Sequence, residues 1–129
     1  MKYLYPNQIL FLHSRVIESS GGSQGVRDMG LLESAVYRPQ ASFGGGDLYP
    51  DVFSKAAALG HSILKNHPFV DGNKRTGLEA MRLMLRINGR DLRAGEDEKF
   101  EFVMKISAGR DIDERDIAQW LQRHSRKHP

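Results

Sequence analysis

The chain contains no cysteine, which excludes a disulfide framework and thiol chemistry. No apolar run approaches the roughly 20 residues of a membrane-spanning helix. The opening Met1-Lys2-Tyr3-Leu4-Tyr5-Pro6 lacks the shape of a signal peptide. No membrane partner is therefore expected, and a cytoplasmic location fits. Convincing alternating strands, internal repeats, heptad runs and low-complexity blocks are all missing. The net charge of +3 is mild, and there is neither a helix-turn-helix signal nor a basic stripe, so direct nucleic-acid contact is not expected. What remains is 129 residues, 40% hydrophobic and 27% charged, the size and balance of one domain with one core. The expected fold is all-α: a single domain over residues 1–129, a bundle of about six helices, ending in a basic, solvated tail from about residue 123.

The helices follow from periodicity and punctuation. Pro6 and Asn7 open the first, with Ile9, Leu12, His13, Val16 and Ile17 on one stripe. His13 on that stripe reads as a packed core histidine. The loop Gly21–Gly25 is weak as a phosphate site, since it lacks a Gly-Lys-Ser/Thr ending. Asp28 can cap a short helix through Leu31, Leu32, Ala35 and Val36 that Pro39 ends. Arg27 and Asp28 admit two readings, a surface pair or a wall of a site. Ala41–Pro50 is a loop holding Gly44-Gly45-Gly46. Asp51 begins a helix whose small residues Ala56, Ala57 and Gly60 permit close packing. Its neighbour, from Asn73 to about Asn88, is apolar nearly all round, which predicts the central helix. Asn88-Gly89 is a C-cap signal. Glu96–Ser107 is amphipathic through Phe100, Val103 and Met104. Asp113 with Asp116 resembles a capping box before a last helix packed by Ile117, Trp120 and Leu121.

Between the two long helices lies His67-Pro68-Phe69-Val70-Asp71-Gly72-Asn73-Lys74-Arg75-Thr76. Pro68 restricts the residue before it, so the incoming helix should stop near Asn66 or His67. Phe69 is suited to anchor the loop in the core. Gly72 allows a turn or a close backbone approach, and Asn73 is the expected N-cap of the outgoing helix. The first-turn amides of that helix would then be free to meet an anion. A helix start prefers acidic residues, yet here Lys74 and Arg75 stand there, which suits a phosphate ligand and not helix stability. Asp71 beside an anion calls for a bridging divalent cation such as Mg²⁺. His67 is the group in the loop able to exchange a proton near neutral pH. A base, a metal carboxylate and an anion cradle are the parts of a nucleotide-dependent transferase.

His-x-Phe-x-Asp-Gly-Asn-Lys-Arg resembles the signature of the Fic/Doc superfamily. Lys74, where the Fic branch has a second glycine, makes it similar to the Doc branch. Gly25-Val26-Arg27-Asp28, Gly30-Leu31-Leu32-Glu33-Ser34-Ala35 and Tyr49-Pro50 with the run to Asn66 look like Doc-type chains too, so the resemblance spans roughly residues 3–122. It implies a Fic/Doc-like helical bundle and a toxin of a toxin–antitoxin module, held in check by a Phd-like antitoxin. The implied activity is phosphoryl transfer from ATP, with Mg²⁺, to a threonine of elongation factor Tu, which blocks translation. On this chain the resemblance implies His67 as general base, Asp71 as metal ligand, Gly72 and Asn73 shaping the anion hole, and Lys74 and Arg75 on phosphates. A bulky cation at Lys74 favours kinase chemistry over the alternative, a Fic-like adenylyltransferase. A further alternative is a non-catalytic partner-binding module. The resemblance also implies a flap over the site near residues 41–50, in which Phe43 and Tyr49 are anchors of a cover or plain loop packing.

Overall fold

A computed structural model describes residues 1–109 and 111–128 of the chain. Six α-helices account for most of it: α1 (Pro6–Ser20), α2 (Met29–Tyr37), α3 (Val52–Asn66), α4 (Asn73–Ile87), α5 (Glu96–Ala108) and α6 (Glu114–Arg123). A 3₁₀ turn (Arg38–Gln40) and two short antiparallel pairs complete it among the described residues: β1 (Ser42–Phe43) with β2 (Gly46–Asp47), and β3 (Arg90–Leu92) with β4 (Ser125–Lys127). The expected all-α bundle of about six helices is what forms. The caps read from sequence form as well. The Asp28 side chain accepts from Leu31, Asp51 from Ser54 and Asp113 from Asp116, each satisfying an amide that its helix leaves open.

The central helix is α3 and not α4. All its residues from Lys55 to Gly60, and Ser62 to Leu64, are buried, and it packs against α2, α4, α5 and α6. The physical reason is size. Ala56, Ala57, Ala58 and Gly60 let neighbouring backbones approach, whereas α4 keeps Lys74, Arg75 and Arg86 at the surface. α3 and α4 interlock through their glycines. A Cβ on Gly60 would stand only 2.3 Å from the Met81 sulfur, and one on Gly77 only 2.8 Å from Leu64 Cγ. Each helix thus receives a large side chain of the other. Leu59, Ile63, Leu64, Met81, Met84 and Leu85 are all but fully buried in this contact region, and each such side chain contributes about 1.5–3 kcal/mol.

Three further expectations change. α5 buries Phe102, Val103 and Ile106, while Phe100 is 66% exposed and Met104 also faces out; the buried stripe is rotated toward Trp120, whose ring stacks on Phe102 at 3.8 Å. The basic end is not a solvated coil. Ser125–Lys127 pairs with Arg90–Leu92, and His128 Nδ1 lies 3.0 Å from an Asp91 carboxylate oxygen. The glycine loop before α3 folds back as the β1–β2 hairpin. Phe43 at its tip is 85% exposed and anchors nothing, whereas Tyr49 is buried and donates to Glu114 Oε2 at 2.9 Å. Lys55, 1% exposed, holds the hairpin base from inside, donating to the Pro39 carbonyl at 2.9 Å and pairing with Asp47 at 3.5 Å.

Candidate functional site

The loop between α3 and α4 carries His67, Phe69, Asp71 and Gly72, the first turn of α4 carries Asn73, Lys74 and Arg75, and the fold holds the loop from three directions. α3 stops at Asn66, as Pro68 requires, but His67 is left-handed (φ 50°, ψ 63°) and not extended. A histidine at positive φ is uncommon and costs of order 1–3 kcal/mol, so the surroundings must impose it. Arg27 does so. Its Nε donates to the His67 carbonyl at 2.7 Å and Nη2 to the Asn66 carbonyl at 2.6 Å, satisfying the open carbonyls of the α3 end. The amides of Arg27 and Asp28 both donate to the Pro68 carbonyl, and Val70 N donates to Gly25 O. Residues 25–28 therefore back the loop along 67–70, with a β-bridge between Val26 and Phe69. Of the two readings of Arg27-Asp28, neither holds as such: Arg27 braces the loop through the Asn66 and His67 carbonyls without lining the cleft, and Asp28 caps α2.

Phe69 is the expected anchor, 1% exposed. Asn73 is not the N-cap. Gly72 takes that place, left-handed at φ 76°, and Asn73 is already helical. Its side chain instead clamps Phe69 on both sides, accepting from the Phe69 amide at 3.0 Å and donating to its carbonyl at 2.9 Å. A carboxamide matches one residue's N–H and C=O at once, a better use of both its polar ends than a cap bond. Glycine suits this place, since its φ is 76° and a Cβ there would lie 2.8 Å from Ile17 Cδ1, which would have to shift.

Asp71 is exposed at the loop's apex. One carboxylate oxygen accepts from its neighbour Gly72 N at 3.1 Å and the other from Ser23 N at 3.2 Å. Its main-chain carbonyl accepts from His13 Nε2 at 2.7 Å. A carbonyl can only accept, so His13 carries its proton on Nε2. His13 is buried as expected, yet it contacts the loop as well as the core: its ring stacks on Phe69 at 3.8 Å, within 4° of parallel.

Lys74 and Arg75 are exposed, and among the described residues neither makes an ion pair. The first amide of α4 with a main-chain partner is that of Thr76, on Gly72 O. Among the described residues no acceptor meets the amides of Asn73, Lys74 and Arg75. A cleft of about 430 Å³ opens there, lined by His67, Val70, Asp71, Gly72, Asn73, Lys74 and Arg75, with Ser20 opposite. Arg75 and Lys74 also reach a second groove of about 420 Å³ between α4 and α5, floored by Leu78, Phe100 and Val103. Among the described residues no cluster of three or more His, Cys, Asp or Glu side chains could enclose a metal. The cleft offers the Asp71 carboxylate. That donor set fits a hard divalent cation held mostly by a ligand's own oxygens and water, the way Mg²⁺ is bound beside phosphates.

Sequence reasoning missed His13 and Ser23 as supports of this loop, and left Arg27 between a surface pair and a site wall. Their signals were absent locally, since they lie 40 to 58 residues from their partners. His61 does not line the cleft. Burial pushes its imidazole below the ordinary value, and its charged neighbours include Glu114 and Arg38.

A helical hairpin thus presents a histidine, a carboxylate and an uncapped, cationic helix start to one cleft. A sequence profile described as the Fic/DOC family matches residues 3–85. The chain belongs to that family, on its Doc side, and is a transferase of the Fic/Doc type. It is similar to Toxin Doc of Mycolicibacterium smegmatis, 50% identical over 102 residues that cover 78% of each chain. It is also similar to Protein kinase doc of Escherichia phage P1, 34% identical over 89 residues, covering 69% of this chain and 70% of the relative.

Proposed function

We propose that this chain is a Doc-like toxin of a toxin–antitoxin module that moves a phosphoryl group from ATP to a protein hydroxyl, a threonine of elongation factor Tu, and so blocks translation in the cytoplasm. The observation that carries the reading is the start of α4: three amides without acceptors and two cations without ion pairs among the described residues line one cleft with the Asp71 carboxylate and His67. Such an arrangement suits a polyphosphate, because amides, Lys74 and Arg75 can spread over several oxygens while Arg75 offers a bidentate fork. The phage relative's name, a protein kinase, and the mycobacterial relative's name, a toxin, support the two halves of the proposal.

In this reading His67, exposed at the left-handed end of α3, accepts the target hydroxyl's proton. The new bond joins that oxygen to the terminal phosphorus, and the bond to the departing diphosphate breaks. Lys74, Arg75 and the free amides hold the negative charge as it redistributes, the principal device for this chemistry. Asp71, whose carboxylate oxygens accept from Ser23 and Gly72, would bind Mg²⁺, which would supply further charge neutralisation. Gly72 and Asn73 shape the anion hole, Gly72 by its left-handed turn and Asn73 by clamping Phe69. A Phd-like antitoxin is the proposed inhibitory partner.

The test is mass spectrometry of elongation factor Tu after incubation with the protein, ATP and Mg²⁺. A gain of one phosphate on a threonine, absent with His67→Ala, is expected. A gain of AMP would refute the kinase assignment and the role given to Lys74. An unmodified factor would refute the target.

A further inference from the structure

We infer that His13 is a positioning residue of the transfer loop, fixing the Asp71–Gly72 peptide from the buried face of α1; the role rests on the reaction proposed above. His13 is 3% exposed, on a stripe with Ile9, Val16 and Ile17. An apolar side chain would fill such a place without the desolvation that an imidazole suffers. Nothing in the packing asks for a nitrogen. The Nε2 proton has one acceptor, the main-chain oxygen of Asp71 at 2.7 Å.

That bond sets the plane of the peptide that leads into α4. The N–H of the same peptide, on Gly72, points back to the Asp71 carboxylate. Rotation of this peptide would therefore turn the carboxylate away from Ser23 and shift the first turn of α4, whose open amides face the cleft. The ring performs a second task. Its parallel stack on Phe69 fixes the other end of the loop, the residue that Asn73 clamps. Ile17, one turn further along α1, touches the place where a Gly72 side chain would stand. α1 thus grips the loop at Phe69, Asp71 and Gly72, although none of its residues belongs to the motif and His13 is sealed from solvent.

Two substitutions separate the donor from the ring. His13→Phe keeps the stack and loses the proton donor. His13→Gln keeps a donor and loses the stack. Amide hydrogen exchange is read by NMR at Gly72 and Ser23, with Met81 and Leu85 in α4 as internal controls, alongside steady-state transfer kinetics. His13→Phe should leave the controls protected, raise exchange at Gly72 and Ser23 several-fold, lower kcat about a hundredfold and raise KM for Mg²⁺–ATP several-fold, as expected when the carboxylate and amides that hold the nucleotide lose their alignment. His13→Gln should recover protection at Gly72 and part of kcat. A folded His13→Phe protein with unchanged exchange at Gly72 and Ser23 would overturn the inference. So would a loosened loop with undiminished kcat, which would leave His13 a packing residue. If His13→Phe does not fold, His13→Gln decides: exchange raised at Gly72 despite the retained donor would refute the donor role. If the parent chain transfers nothing, the reaction assigned to the site fails separately, and titration of Mg²⁺–ATP into parent and His13→Phe still decides the placing of Asp71 and the amides. Equal affinity would overturn it, and several-fold weaker binding would sustain it.

Discussion

Replacing Gly72 with alanine tests the loop geometry most directly. Gly72 is left-handed, and its Cβ position is 2.8 Å from Ile17 Cδ1 and 3.7 Å from His13 Nε2. An L-residue in that conformation costs about 1–2 kcal/mol. The steric contact involves the far end of a side chain, so it adds a cost toward the lower end of the roughly 1–3 kcal/mol seen for overpacking. Against both, losing a glycine stiffens the unfolded chain and returns about 0.4–1 kcal/mol. The balance is a loss of about 1–3 kcal/mol. In urea unfolding it should appear as a midpoint lowered by roughly 1 M with an unchanged slope. Gly72→Asn separates the two causes, because asparagine tolerates the left-handed region yet carries the same Cβ. A smaller loss for asparagine than for alanine identifies backbone strain; equal losses identify the Ile17 contact. Adding Ile17→Val to Gly72→Ala should restore part of the loss, a coupling that a double-mutant cycle reads. A Gly72→Ala protein within about 0.5 kcal/mol of the parent, the spread of neutral surface changes, would refute the reasoning.

Arg27→Ala should free the carbonyls of Asn66 and His67, destabilise the fold by roughly 1–3 kcal/mol, and lower transfer more than stability alone explains; Arg27→Lys should rescue little, because one ammonium cannot reproduce a two-bond fork. Thermal melts beside kinetics decide this, and unaltered kinetics would remove Arg27 from the site. Lys55→Met should leave the Pro39 carbonyl unpaired and release Asp47, costing about 1–3 kcal/mol and exposing the β1–β2 hairpin to limited proteolysis; an unchanged cleavage pattern would sink it. Glu114 gives a pH prediction. Burial pushes its carboxyl up, but the hydrogen bonds and charge of Arg38 and the Tyr49 hydroxyl outweigh burial and hold it below the ordinary value. A depressed carboxyl adds stability above its unfolded value near about 4.3 and loses it as pH falls through the folded value. Unfolding measured from neutral pH into that acid range should therefore show a shallower decline for Glu114→Gln than for the parent, and parallel curves would contradict the assignment.

The sequence alone determined the helices and the chemistry of the loop, because both are short-range. Helix period, the caps Asp28, Asp51 and Asp113, and the stop imposed by Pro68 act over a few residues, and the structure keeps all of them. The juxtaposition of His67, Asp71, Lys74 and Arg75 is written in ten consecutive residues, so their gathering around one cleft follows from chain connectivity. Tertiary structure decided what side chains do once several elements compete for them. Asn73 could cap a helix or clamp Phe69, and the left-handed Gly72 gave the cap position away. α4 has the more continuous apolar pattern, but α3 has the small residues that let four helices close on it. Phe100 and Phe102 are equally apolar, and the position of Trp120 chose between them. Ser125–Lys127 is polar and basic, with nothing local to mark a strand, and only the open edge of Arg90–Leu92 made it one. The supports of the loop were the least legible. His13, Ser23 and Arg27 meet it through bonds to main-chain or carboxylate oxygens far along the chain, and such bonds leave no periodicity for a sequence to display.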